Sequence, residues 1–279
     1  MFDFSEDEWI FLIAASVGAL VGAWRWYLTL MRISPLNANA KSQALLVLTP
    51  LASLVILMLV LQTLADPVYV AGHLDYTLLF VAGGALWIFA ASEAFPLMGV
   101  SALDDAMRRH NPAAAVAVSG GVLGVMLAYA GSNIGNGPTI WTTLLPALVA
   151  TGVLLVLWFI LELVGGEFEA ITVDRDVAAG IRLAAFLVCA GAILGRAMAG
   201  DWFDWNGTFS EFVVLGWPAA LLVPAMTIMN RRYAPTPVTP HPDSAKCGIT
   251  PALVLIVLTT AYLVYVGTPV VAAPGGEAP

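Results

Sequence analysis

Apolar residues run along this chain in eight long stretches separated by short polar intervals, at 9–31, 42–65, 76–100, 112–134, 139–164, 177–200, 209–230 and 249–271. Each reaches the roughly 20 residues that a helix needs to cross a hydrocarbon layer about 30 Å thick. The pattern lacks the strict alternation of a membrane barrel, and an isolated apolar strand would leave its backbone groups unpaired in lipid. The stretches are therefore expected to be helices, and the chain an all-α polytopic membrane protein with about eight transmembrane helices.

The intervals differ in charge, and that difference orients the helices. Arg32 and Lys41 follow the first stretch, Arg108 and Arg109 the third, Arg175 the fifth, and Arg231, Arg232 and Lys246 the seventh. The amino terminus, residues 66–75, the turn at 131–141 and the carboxyl tail hold no Lys or Arg. Basic loops stay in the cytoplasm, so both termini are expected outside it. Trp9, Trp141, Trp202 and Trp205 then fall at the outer interface and Trp24, Trp26 and Trp158 at the inner one.

Residues 131–141, GSNIGNGPTIW, close one membrane hairpin, and residues 195–205, GRAMAGDWFDW, close another. A shift of 64 residues places Ala114 and Ala115 on Ala178 and Ala179, Leu123 on Leu187 and Gly131 on Gly195; beyond the turn Pro146-Ala147 falls on Pro218-Ala219. Self-similarity at a fixed period marks a structural repeat. It divides the chain into a three-helix region at 1–100, two-helix units at 101–166 and 167–232, and a Pro-rich linker with a terminal helix at 233–279. Both units start on the basic side, so the tandem repeat of hairpins is parallel, unlike the inverted repeats of many secondary transporters. Residues 233–251, with five prolines, read as an extended cytoplasmic linker.

Composition agrees with the pattern: 60 % of residues are hydrophobic and 11 % charged, against about 25 % charged in a soluble domain. The net charge of −8 gives no footprint for nucleic acid, and the acidic start lacks the basic leading region of a signal peptide. Cys189 and Cys247 alone build neither a disulfide framework nor a cysteine metal site. His73, His110 and His241 all lie in loops, which leaves no membrane pair for haem, and no cofactor is expected. Hydrolase and nucleotide-binding signatures such as HExxH, GxSxG and the Walker A loop are also missing.

Chemistry is best sought among charges inside the apolar stretches, since each is costly in a bilayer. Glu93 lies in ASEAFPLMG, with Pro96 three residues on to kink its helix. Arg25 and Arg182 lie at similar depth. Glu93 paired with either would be a proton or cation site, or simply a structural ion pair. Arg196, Asp201, Asp204 and Glu211 gather near the second turn, as a metal or polyamine cluster or as an ordinary wet loop. Asn133 and Asn136 supply amides to the first turn but no charge, and the plainer reading of that glycine-rich run is a turn former.

Asp105 followed by Asn111-Pro112-Ala113-Ala114, the turn at 131–137, and a second copy from Glu169 through Gly195 to Asp201 are similar to the bacterial inner-membrane family called domain of unknown function 350. The resemblance covers about 101–233 and leaves the first three helices outside. It implies tandem two-helix membrane hairpins and an inner-membrane location, and carries over no catalytic residue. Two functions fit: a small-solute or ion transporter or channel, or a non-catalytic membrane subunit that packs with a partner or with itself. The bilayer is the expected environment of either.

Overall fold

The computed structural model describes residues 4–32, 40–67, 70–202, 204–234 and 242–269. Every regular element among them is helical: α1 Glu6–Met31, α2 Ala40–Thr63, α3 Leu74–Ser92, α4 Pro112–Gly131, α5 Trp141–Gly165, α6 Glu167–Thr172, α7 Val177–Ala197, α8 Trp205–Gly216, α9 Pro218–Tyr233 and α10 Thr250–Val266. Eight spans are long and apolar enough to cross a membrane, with α8 and α9 counting as one and a lead-in turn at Ser244–Ile249 extending α10.

Local chemistry starts these helices where the sequence placed them. Ser5 and Glu8 form a reciprocal capping box at α1, satisfying two donors that the first turn leaves free. Asn111 caps α4 ahead of Pro112 through its Oδ1, and Asp176 caps α7 by accepting from the Ala178 N–H. Such caps contribute about 1 kcal/mol each.

Three boundaries differ from the hydropathy reading. The third stretch ends as an α-helix at Ser92, breaks into a 3₁₀ turn at Phe95–Met98 and turns left-handed at Gly99, because Pro96 has no N–H to continue the helix. Glu93 is therefore the residue that ends α3 and is not embedded within it. The seventh stretch is two helices, meeting at Trp217 with Pro218 opening the second. Of the expected linker, residues 235–241 lie outside the described residues, and Ser244–Ile249 is already a helical turn.

The centre of the bundle is α4 against α7, side by side and parallel. Small residues let the backbones touch: Gly120 faces the backbone of Ala184, Gly131 that of Gly195, and Gly191 that of Gly124, with no room for a Cβ at any of them. The remaining spans wrap this pair. α1 and α3 also run parallel, Gly18 on Leu86 and Gly22 on Phe89. Of the expected inner Trp belt, Trp24 is exposed, whereas Trp26 and Trp158 are core residues. Trp26 donates to the Leu46 carbonyl at 3.0 Å and Trp158 packs on Phe95 with ring centroids 5.0 Å apart.

Candidate functional site

Two ends of the bundle hold polar chemistry: the basic side, with the Arg- and Lys-bearing loops, and the opposite turn side. On the basic side Arg25 and Glu93 form an ion pair at 3.0 Å. Their side chains are 53 % and 57 % exposed, so the pair sits at the rim of a cavity and not in the bundle interior. The cavity, about 330 Å³, is bounded by α1, the end of α3 and the turn at Ala102–Arg108, with Ser92, Ser101, Asp104 and Arg108 adding polar walls. Arg108 pairs with Asp104 at 2.7 Å one helical turn away.

Arg182 does not reach Glu93. It is 1 % exposed, with Nε donating to Asn230 Oδ1 at 2.7 Å and Nη1 to the Cys247 carbonyl at 2.6 Å. Glu167 and Asp176 are the carboxyl groups within electrostatic range of it. Both are buried, and Glu167 Oε2 and Asp176 Oδ2 have no hydrogen-bond partner among the described residues. Burial pushes the Glu167 carboxyl up to about 8, against the Arg182 guanidinium, with Glu162 and Asp176 adding to the rise and the Asn230 amide opposing it. At neutral pH the group is largely protonated. This network joins α6, α7, α9 and the turn before α10. Asn111 ties it to the neighbouring loop by donating to the Ile171 carbonyl at 2.7 Å, and Arg175 donates to the carbonyl of Arg109.

The sequence reading missed Glu167, Asp176 and Asn230. A signal existed: an arginine inside the apolar α7 demands a carboxylate, and Asp176 and Glu167 lie 6 and 15 residues before it.

On the turn side the expected outer cluster is dispersed. Arg196 Nε donates to the Gly267 carbonyl at 2.8 Å, Asp201 accepts from the Asn136 N–H at 2.8 Å, and Asp204 caps α8 through the Gly207 N–H. Glu211 is exposed and within electrostatic range of Arg196. Among the described residues no group of three His, Cys, Asp or Glu side chains is arranged to hold a metal ion. What the structure does bring together are the two turns. Gly200 N–H donates to the Ile134 carbonyl at 2.9 Å and Trp202 N–H to that of Asn136 at 2.8 Å. Asn133 donates to the Tyr129 carbonyl at 2.7 Å.

Eight apolar spans, a core of touching helix backbones and charged groups confined to the two ends define an integral membrane protein. Residues 68–198 match the family described as Domain of Unknown Function (DUF350). The matched segment takes in α3, which the sequence reading had left outside the resemblance, and stops at the end of α7. No curated protein and no solved structure matches the chain.

Proposed function

We propose that this membrane protein moves a small solute or ion along the seam between α1 and α3. The observation that carries the reading is a pair of polar cavities at opposite ends of that one seam. The basic-side cavity reaches Phe89, and a second cavity of about 340 Å³ on the turn side reaches Phe80. Nine residues separate the two, about 13.5 Å at 1.5 Å per residue. Between them Leu86 packs on Gly18, and Gly83 faces Phe11 and the Tyr129 hydroxyl. A plug this short, made of side chains over glycines, opens by rotamer changes and a small shift of α1. The α4–α7 contact, backbone on backbone, offers no such route. The Arg25–Glu93 pair stands at the basic-side mouth as the charge gate.

The basic side is cytoplasmic on this reading, because basic loops are retained there. Both termini then lie outside, and the membrane is the bacterial inner membrane. The two hairpins α4–α5 and α7–α9 form the parallel repeat, supported by Gly131 lying on Gly195 at the same 64-residue shift. The competing role, a non-catalytic subunit packing with a partner or itself, is supported by the broad apolar faces that α1 and α10 turn outward.

Flux in proteoliposomes separates the two. Transport along the seam requires that Leu86→Trp, filling the plug, stop flux of ions or small solutes while leaving the fold intact. Glu93→Gln is expected to reduce flux with little loss of stability, since the pair is half exposed and worth about 0–1 kcal/mol. A wild-type protein that moves none of a panel of ions and small solutes, with a single cysteine at 86 unreactive from both sides, would establish the subunit role instead.

A further inference from the structure

α7 carries three side chains with N–H or S–H groups, Arg182, Cys189 and Arg196, in a span whose other residues are Ala, Gly, Val, Ile, Leu and Phe. They recur every seven residues, which keeps them on one face with a drift of about 20° per step. Each step is about 10.5 Å along the axis, so the three cover about 21 Å of a hydrocarbon layer roughly 30 Å thick. Each meets α10 or the turn that leads into it. Arg182 Nη1 donates to the Cys247 carbonyl at 2.6 Å, Cys189 lies against Thr259, and Arg196 Nε donates to the Gly267 carbonyl at 2.8 Å.

This seam gathers most of the unsatisfied polar chemistry of the interior. Eight buried side-chain atoms have no hydrogen-bond partner among the described residues, and five of them belong to the seam. Glu167 Oε2, Asp176 Oδ2 and Asn230 Nδ2 surround Arg182 at the basic side, Thr259 Oγ1 lies at mid-depth, and Arg196 Nη1 lies at the turn side. A buried polar group without a partner is costly, and native interiors leave few of them. The five mix donors with acceptors, so an ion of one sign cannot serve them all, whereas water both donates and accepts. An opening that lets water reach them offsets the cost of the closed seam.

Packing gives the opening a direction. α4 and α7 touch backbone to backbone from Gly180 on Ala113 at the basic side to Gly131 on Gly195 at the turn side. Along Ser244–Val266 a glycine contact of this kind occurs only at Gly248, where an added Cβ would lie 2.9 Å from Ala178 Cα. Toward the turn side α10 is held by single hydrogen bonds to carbonyls, Arg196 on Gly267 and Tyr262 Oη on Leu215 at 2.6 Å. We propose that α10 pivots at Gly248 and swings its turn-side end off α7, opening the seam to water as far as Cys189. No residue of the α1–α3 seam takes part, so the movement stands or falls apart from transport there.

The native thiol at mid-depth reads the opening. In full-length Cys247→Ser protein Cys189 is the one cysteine left, and the substitution keeps the carbonyl that Arg182 uses. Membrane vesicles of both orientations are treated with 2-sulfonatoethyl methanethiosulfonate, an anionic thiol reagent that does not cross lipid, and modification is followed by mass. The rate reports the population of the open state. Cys189 should react from the turn side and much more slowly from the basic side. Tyr262→Phe and Arg196→Gln each remove one tether, and each should speed the reaction about threefold to tenfold. The control is Val122→Cys, at a position 1 % exposed in α4, in a chain with Cys189→Ser and Cys247→Ser. It should stay unreactive with and without either tether change, which separates opening of the seam from unfolding. Cys189 reacting no faster than that control, reacting as fast from the basic side, or reacting at a rate that neither tether variant alters overturns the proposal.

Discussion

Gly131 and Gly195 meet backbone to backbone, with the carbonyl of Gly195 occupying the place where a Gly131 side chain would be. The contact sets the separation of α4 and α7. Gly131→Val and Gly120→Leu should each lower Tm, because overpacking costs about 1–3 kcal/mol even where side chains can yield and here backbone must. Gly152→Leu is the control: nothing lies within 4 Å of a Cβ at that position, so its Tm should stay near wild type.

Glu167 gives a pH dependence with a definite sign. Its folded-state pKa of about 8 stands above the ordinary value of 4.5 because of burial. Between those values the unfolded chain releases the proton that the folded chain keeps, so stability falls as pH rises through that window and levels off above it. Thermal unfolding in detergent should show Tm declining from pH 5 to about pH 8. Glu167→Gln should flatten that decline and be more stable than wild type at the alkaline end.

Arg182 is tied by direction as well as charge. Arg182→Met removes the buried donors that serve Asn230 Oδ1 and the Cys247 carbonyl, and each buried acceptor left unpaired costs about 1–3 kcal/mol. Arg182→Lys retains the charge but cannot reproduce the fork that reaches Asn230 and the Cys247 carbonyl together. Both should unfold at lower temperature, the lysine variant less so, and Asn230→Ala should add little to Arg182→Met if the two act as one unit.

Side-specific thiol labelling checks the orientation. Cysteines at 71 and 139 should react from outside intact cells and a cysteine at 108 only after permeabilisation. Position 135 is a poor reporter, since Gly135 has φ +109° and a Cβ there would strike Gly200. Position 139 labelled only from inside would reverse the topology.

An experimentally determined structure should superpose residues 112–165 on 177–233 by rotation about an axis along the helices. An axis in the membrane plane would make the hairpins inverted.

The hydrophobic pattern made the eight spans legible because bilayer thickness leaves few alternatives. Pairing across space was less legible. Glu93 was expected inside its helix beside Arg25 or Arg182; it meets Arg25 from the residue that ends α3, since hydropathy carries a span through Pro96 that the backbone cannot follow. Arg182, the alternative partner considered for Glu93, meets Asn230 and the Cys247 carbonyl. Its neighbours Glu167 and Asp176 lie in the short segment between α5 and α7, where a charge looks solvated in the sequence and is buried only by the return of α9 and the turn before α10.

The pairing of the two turns has a consequence in time. Residue 200 is made 66 residues after residue 134, an interval of about 3 to 13 s at ordinary ribosomal speed. Throughout it the carbonyls of Ile134 and Asn136 have only solvent to serve them, and the first hairpin waits in the bilayer with its glycine face uncovered. Closure therefore belongs to the last part of synthesis, and a ribosome that stalls between α5 and α7 leaves behind a half-bundle whose exposed stripe is ready to accept the matching helix of another chain.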